Sequence, residues 1–264
     1  MKTLEFFDVY SHGGIYTGPG VKLGAGVIFE EVFSASNARG IRVLTGSCPT
    51  VSIGGGFVAG GGHSAFSFIY GLAADNVLEW EVVTVDGDHL IATPDNHADL
   101  YWALSEGGPG TFAVVVLVTM RVFRDAPMTG AMLSYDNYTA GSVESFWVSI
   151  TTFYSTLPSA VDAGATIYYA LTRTLLTVFN IAIPTVDTSA VGGILNPIIS
   201  NTANSGLSLN ITTSAHIGFL DMYNTYIRPT VDVTPAAQIA GGRLVPRAII
   251  EDDKASQDLT LAYS

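Results

Sequence analysis

The sequence is poor in cysteine, in positive charge and in long unbroken apolar runs, and each shortage closes off a class of protein. Cys48 is the single cysteine, which excludes an internal disulfide framework and any multi-cysteine metal site; no histidine–carboxylate pattern suggests a metal either. Only 11 Lys and Arg stand against 23 Asp and Glu, a formal net charge of −12, and the cations are scattered. Phosphate backbones are bound by clustered cations, so nucleic acid is excluded as a partner. Charged residues make up 13% and apolar ones 48%, the balance of a packed chain and not of a disordered one. The mean hydropathy of +0.38 raises the question of a membrane span. The most apolar stretch, residues 111–122, is too short for a bilayer crossing, and the run over 167–183 is interrupted by Arg173. No span and no membrane partner are expected. Residues 1–8 lack the apolar core of a signal peptide, so none is expected in this stretch. The triplets Asn137-Tyr138-Thr139 and Asn210-Ile211-Thr212 nevertheless match glycosylation acceptors, which points to secretion of a longer form.

What is present falls into two textures. The first half alternates short apolar strands with glycine: a strand over 21–27, a helix over 29–39 stopped by Gly40, and a strand over 41–44. A hairpin follows, 78–82 with 89–92 across Asp86-Gly87, then a short helix over 99–104 and a long buried strand over 112–123. In the second half, Ser142 caps an amphipathic helix carrying Val143, Phe146, Trp147, Ile150, Phe153, Tyr154 and Leu157 on one face, with Pro158 as its stop. Strands over 165–171 and 175–183 and a helix over 189–199 follow. The boundary between the textures lies near Pro127.

The most informative stretch is Cys48-Pro49-Thr50-Val51-Ser52-Ile53-Gly54-Gly55-Gly56-Phe57-Val58-Ala59-Gly60-Gly61-Gly62-His63-Ser64, which has no helical period. Such glycine density costs conformational entropy, and its usual reason is close approach of backbone to a ligand such as a pyrophosphate. Gly54-x-Gly56-x-x-Ala59 formally matches a dinucleotide-binding fingerprint, with Asp75 or Glu79 at the spacing of a ribose-binding acid. That fingerprint needs a helix after it, and Gly60-Gly61-Gly62 would break one in its first turns.

The ordered series resembles a known family. Cys48-Pro49-Thr50-Val51 and the glycine run ending in His63-Ser64, then Tyr70-Gly71-Leu72-Ala73-Ala74-Asp75-Asn76-Val77-Leu78-Glu79, Asp99-Leu100-Tyr101-Trp102-Ala103-Leu104 and Gly107-Gly108-Pro109-Gly110-Thr111-Phe112, are similar to the PCMH-type, berberine-bridge-enzyme-like FAD-linked oxidases, fungal members above all. Val21-Lys22-Leu23-Gly24-Ala25-Gly26-Val27 fits upstream, and Gly241-Gly242-Arg243-Leu244-Val245-Pro246-Arg247 is a looser landmark downstream.

The resemblance implies an α+β fold, with a PCMH-type FAD-binding subdomain over 1–126 followed by an antiparallel-sheet substrate domain backed by helices over 127–264. It implies covalent FAD through a thioether at Cys48, with Pro49, Thr50, Val51, Gly54, Gly55, Gly56, Gly60, Gly61, Gly62, His63, Ser64, Gly71, Asp75, Val77, Phe112 and Val114 around the cofactor. For Asp75 a turn or cap is an equal reading, and for Phe112 and Val114 core packing is compatible with lining the flavin. The implied reaction is oxidation of a small organic molecule by hydride transfer to flavin, with O₂ as acceptor. Ser52 and Ala113 stand where the family has glycine. The family's first flavin subdomain, with its flavin-linking histidine, and its C-terminal return segment are not represented, and His12 is no convincing replacement for that histidine. Apolar surface is therefore expected on the strands over 21–27 and 112–123. No general base is evident; Tyr168, Tyr169 and Tyr223 are better read as strand packing. Two other readings are an NAD(P)-dependent reductase built on the glycine run, and a non-catalytic fragment of a flavin fold.

Overall fold

The computed structural model describes residues 1–12, 15–138, 142–185, 187–231 and 244–262. The chain divides into two units: Met1–Ala126 with Gly218–Leu220, and Pro127–Ile217 with Asp221–Ser264.

The first unit is organised by a five-stranded antiparallel sheet, β1-β2-β6-β4-β5. Its strands are β1 (Leu4–His12), β2 (Tyr16–Gly24), β4 (Val77–Val83), β5 (His89–Ala92) and β6 (Val114–Arg121). Alternation in β4 works as the period-2 pattern requires: Trp80 and Val82 are fully buried, while Glu79 and Glu81 turn outward to share Lys22 at 3.5 and 3.3 Å. Helix α1 (Phe29–Asn37) buries Phe29, Val32 and Phe33. Its first turn is closed by the Glu31 carboxylate, which accepts the Ile28 N–H at 2.9 Å and pairs with Lys2. Strand β3 (Ile41–Arg42) pairs with β7 (Phe123–Arg124), and the Arg42 guanidinium, stacked 4.1 Å over the Phe66 ring, donates to Asp125. Two short helices, α2 (Ser67–Tyr70) and α3 (Ala98–Leu104), complete the unit.

Several expectations change here. The strand over 21–27 starts earlier, at Tyr16, because β1 supplies it with a partner along its whole length. The strand over 41–44 keeps only two residues. The strand over 112–123 splits, since β6 pairs with β2 and β4 whereas β7 leaves to pair with β3. The expected apolar exposure is also corrected: Val21, Leu23, Val27, Val118 and Met120 are buried inside the sheet's own packing, and in the second strand Phe112 and Val114 alone of those large apolar residues are substantially exposed.

The second unit is a four-stranded antiparallel sheet, β11-β8-β10-β9, formed by β8 (Met128–Asp136), β9 (Thr166–Leu171), β10 (Leu175–Ile183) and β11 (Leu209–His216). One face is covered by α4 (Val143–Asp162) and α5 (Thr188–Asn204): Ala131, Leu133, Tyr135, Val178 and Ile181 meet Phe146, Ile150, Phe153, Val191, Leu195 and Ile198 in one core. The remaining helices are α6 (Phe219–Met222), α7 (Arg228–Val231), α8 (Arg247–Glu251) and α9 (Asp253–Leu261). Ser142 caps α4 as expected, its hydroxyl accepting the Ser145 N–H. Pro158 does not stop α4, which continues to Asp162. Proline removes one intrahelical bond, but Ala160 beyond it is fully buried in the shared core, and that packing outweighs the loss. Likewise α5 runs past the expected end at residue 199, through Pro197 to Asn204. The α+β architecture, with an antiparallel sheet backed by helices in the second half, is the one implied by the resemblance.

Candidate functional site

The segment from Cys48 to Ser64 is not an irregular loop. Cys48 at its N-terminal end is exposed, with its Sγ 3.5 Å from Thr50 Oγ1. The chain is then fixed to α1 from below, the Glu30 and Phe29 N–H groups donating to the carbonyls of Pro49 and Val51 at 3.0 Å. Residues Ile53–Phe57 form one π-helical turn and Val58–Gly60 a 3₁₀ turn. Wide π turns of this kind recur at functional sites. Ser52 caps the first turn by accepting the Gly55 N–H and donates to the Ala25 carbonyl. Its hydroxyl is thereby tied back into the protein, and Ala113 is buried. Neither departure from family glycine projects outward.

The glycines of this segment divide by what surrounds them. At Gly62, φ is +76° and a Cβ would lie 2.7 Å from Ala73 Cβ and 2.9 Å from the Phe57 ring, so the fold itself demands glycine. A Cβ on Gly54 or Gly55 would also press on protein, at 3.2 Å from Val118 and 2.9 Å from Ser52. Gly60 is the opposite case: no atom of the described residues lies within 4 Å of its Cβ position, and its φ is not positive. At Gly56 the nearest neighbour is Pro109 at 3.8 Å, and at Gly61 it is Leu72 at 3.6 Å. Gly60 and Gly56 are glycines that the protein's own packing leaves unexplained.

Around this shelf the other expected residues fall into two groups. Thr50, Val51, His63, Phe112 and Val114 are exposed, as is the Asp75 side of the turn that follows α2. Pro49, Ser64 and Val77 are buried. Ser64 serves its own turn, its hydroxyl accepting the Phe66 N–H and its N–H donating to Ser67 Oγ. Asp75 accepts the Leu72 N–H at 2.7 Å and its carboxylate fills the space where Gly71 would carry a side chain, which is the turn role held open for it. Backbone bonds from Ala73 and Ala74 to the carbonyls of Gly62 and Gly61, and from Gly108 to that of Ala59, knit residues 59–62, 71–75 and 107–110 together.

Sequence reasoning did not single out Trp102 or Glu106. They line a pocket of about 270 Å³ with Ala74, Asp75, Tyr101 and Ser105. Trp102 is 79% exposed, and Glu106 adopts φ +76°, a left-handed conformation unusual for a side-chain-bearing residue. On the short helix α3, Leu104 is the buried residue, which leaves Trp102 on the open side. In the second unit, burial pushes the Tyr168 phenol up to about 12, the wrong direction for a base at neutral pH. Tyr169 packs against Phe153 at 5.0 Å, and Tyr223 is fully buried. Gly241, Gly242 and Arg243 of the downstream landmark lie outside the described residues, as does the side chain of His12.

No group of three or more metal-ligating side chains occurs among the described residues, and no helix among them is long and apolar enough to cross a membrane. Among the described residues, all strand pairs of the first unit are antiparallel, and none supplies the fingerprint-like glycines with the parallel βαβ unit that a nicotinamide-binding domain needs.

Comparison with known proteins agrees with this geometry. Residues 18–93 match the FAD binding domain family. The chain is 39% identical to the VAO-type flavoprotein oxidase VAO615 of Thermothelomyces thermophilus over 98% of its length, but spans only 45% of that protein, and it spans similarly less than half of other curated relatives. The crystal structure of the VAO-type flavoprotein MtVAO615 from Myceliophthora thermophila superposes with a TM-score of 0.85 at 38% identity, covering 98% of this chain and 47% of that one. The FAD-linked oxidoreductase sthB of Phaeosphaeria nodorum is 40% identical over 84% of this chain, which in turn covers 70% of sthB. With that coverage and the matched FAD binding domain, the chain belongs to the FAD-linked oxidoreductase family, of the VAO type.

Proposed function

We propose that residues 1–126 hold FAD as the second part of a PCMH-type flavin domain, that residues 127–264 contribute part of a substrate domain, and that together they serve an oxidase of small organic molecules. The observation that carries the reading is the open space at the Cβ position of Gly60, in the same Cys48–Ser64 segment that begins with an exposed thiol. A glycine kept where the protein offers no neighbour is accounted for by a ligand that takes the place of one. Cys48 would bond the flavin covalently. The glucooligosaccharide oxidase of Acremonium strictum, which shares the fold at 18% identity and a TM-score of 0.61, carries a 6-S-cysteinyl, 8α-N1-histidyl FAD. Thr50, Val51, Gly55, Gly56, Gly60, Gly61, His63, Phe112 and Val114 would border the cofactor, while Pro49, Gly54, Gly62, Ser64, Gly71, Asp75 and Val77 hold the backbone that does so.

When bound, the flavin supplies a two-electron acceptor that takes hydride from a substrate carbon and is reoxidised by O₂ to give hydrogen peroxide. The protein's part is to fix and shield the cofactor and to orient the substrate. In the second unit the sheet face opposite α4 and α5 suits the orienting role. It carries Met132, Ser134, Asn210, Thr212 and Ser214, paired across β8 and β11 and only partly covered. Secretion of the longer form rests on the sequons alone, of which Asn210 is exposed on β11.

Intact-mass analysis of the flavin-loaded protein should show an FAD increment that Cys48→Ala abolishes. Bound flavin with a free Cys48 thiol would defeat the covalent link and leave the family assignment standing. Gly60→Val should lose flavin without loss of melting temperature; retention of stoichiometric flavin would remove the glycine shelf from the cofactor site.

A further inference from the structure

Four polar side chains of the second unit form one hydrogen-bonded chain. Ser214 and His216 occupy alternate positions of β11 and therefore share a face. Ser214 Oγ lies 2.9 Å from His216 Nε2 and 2.6 Å from the Tyr226 hydroxyl; His216 Nδ1 lies 3.1 Å from Asp221 Oδ2. Asp221 comes from α6 and Tyr226 from the π-helical turn Tyr223–Ile227, and all four residues belong to the second unit. The sheet beneath holds the group in place. A Cβ on Gly130, which pairs with Ser214 across the sheet, would lie 2.5 Å from the Tyr226 ring, so glycine there lets that ring lie against β8 with its hydroxyl on Ser214. The same ring meets the His216 imidazole edge-on, 5.5 Å between centroids.

Counting protons fixes the order of the chain. Neutral His216 has one N–H, and the Asp221 carboxylate can only accept, so Nδ1 carries the proton and Nε2 is the acceptor. Ser214 has one proton, which therefore goes to Nε2, and Tyr226 donates to Ser214 Oγ. The His216 side chain is 5% exposed and Ser214 is half-buried, so a molecule arriving from solution meets the serine oxygen and not the imidazole. A hydroxyl bonded to a histidine whose other nitrogen is held by a carboxylate is the arrangement of an activated nucleophile. A tyrosine O–H beside that hydroxyl adds a donor for the oxygen that becomes negative when a carbonyl is attacked.

We infer that Ser214, His216 and Asp221 are nucleophile, base and orienting carboxylate for acyl transfer, and that the second unit hydrolyses small neutral carboxylic esters. This activity is independent of the oxidase reading and uses no group outside the unit. Ser214 Oγ attacks the ester carbonyl carbon while its proton is relayed to His216 Nε2, and the oxyanion so formed takes the Tyr226 O–H. The carbon–oxygen bond to the alcohol then breaks, the alcohol leaves with the proton from His216, and the acyl group stays on Ser214. Water repeats the sequence: its proton goes to His216, its oxygen to the acyl carbon, and Ser214 recovers its proton as the carboxylic acid leaves. Ester and water become acid and alcohol, with no change of oxidation state. Ser214, His216 and Tyr226 are the catalytic residues, and Asp221 is a positioning residue that acts through His216. Around Ser214 the open face carries Met132, Ser134, Asn210 and Thr212, all uncharged, which suits a neutral substrate. Tyr226, lying over Gly130, takes up the β8 side of Ser214 and favours a short acyl group. With the tyrosine as oxyanion donor, esters with a good leaving group, such as aryl acetates, are the substrates to expect.

The test uses the whole chain, a fluorophosphonate that labels activated serines, and p-nitrophenyl acetate. Peptide mapping should place one phosphonyl group on Ser214, and Ser214→Ala should lose both the label and the release of p-nitrophenol at an unchanged melting temperature. In His216→Gln, labelling and kcat should fall at least about 100-fold. Should that variant fail to fold, the half-exposed Asp221 decides: Asp221→Asn should lower kcat at least about tenfold at unchanged KM, and Asp221→Glu should recover most of it. In ¹⁵N-labelled protein at neutral pH, imidazole NMR should show His216 as the Nδ1–H tautomer, and Asp221→Asn, which can donate to Nδ1, should shift it toward Nε2–H. A folded protein whose Ser214 takes no label overturns the inference. So do labelling at the wild-type rate in His216→Gln or Asp221→Asn, ester hydrolysis that survives Ser214→Ala, and an Nε2–H tautomer in the wild type.

Discussion

The two units carry their exposed chemistry on different kinds of backbone. In residues 1–126 it sits on consecutive short helical turns, a π turn and a 3₁₀ turn, whose glycines either make room for protein or leave room for something else. In residues 127–264 it sits on a regular strand and one helical turn, where alternation sends every second side chain to the open face. The first arrangement presents backbone and suits a large cofactor held along its length. The second presents side chains at fixed spacing and suits a proton relay. A cofactor site of the first kind is sensitive to added volume at particular glycines, whereas the second is sensitive to removal of particular heteroatoms.

The sharpest way to break this comparison is within the glycine run. Gly62→Val combines a left-handed φ with overlap on Ala73 and Phe57, and should cost about 2–6 kcal/mol of stability, summing strain and overpacking, with flavin lost as a consequence. Gly60→Val, by contrast, should lose flavin at unchanged stability. If the two variants behave alike in thermal melts, the division between fold glycines and ligand glycines is wrong. A smaller effect is expected in the second unit. Pro158 lies inside α4, so Pro158→Ala restores an intrahelical bond and should stabilise by about 1–3 kcal/mol without touching flavin content. A lower midpoint in chemical denaturation would show that the core is fitted to the proline. The smallest effect concerns the exposed pair of Arg247 and Asp162. Two hydrogen bonds from Arg247 hold the Asp162 carboxyl below its ordinary range. A depressed carboxyl contributes stability above its unfolded value, and that contribution is lost as pH falls through the folded one. Melting temperature should therefore fall slightly more between about pH 5 and pH 2 in the wild type than in Asp162→Asn, and raised salt should erase the difference. Identical pH dependence would show that the pair does not persist in solution.

Much of this was written in the sequence by itself. The hairpin of β4 and β5, helix α4 and its Ser142 cap follow from period and capping, which depend on neighbours a few residues away, and the α+β class follows from the family resemblance. The family resemblance was legible because its motifs are contiguous: a Cys-Pro-Thr-Val start, a glycine run and a Tyr-Gly-Leu-Ala-Ala-Asp stretch form a series that chance does not assemble, and the residues proposed to border the cofactor are carried by it. What the tertiary structure decided depends on partners distant in the chain. Strand β1 reads as nothing in particular until β2 lies beside it, and β8 and β11 become strands because each lends the other its hydrogen bonds. The helices α4 and α5 cross their prolines because the core beyond them is worth more than one bond. Gly60 and Gly62 are the same residue type two positions apart, and a left-handed φ together with the placement of Ala73 and Phe57 separates a glycine that the fold needs from one that it does not. Ser214, His216, Asp221 and Tyr226 are ordinary residues in the sequence; a strand's alternation, a helical turn and the missing side chain of Gly130 bring their heteroatoms within hydrogen-bonding distance.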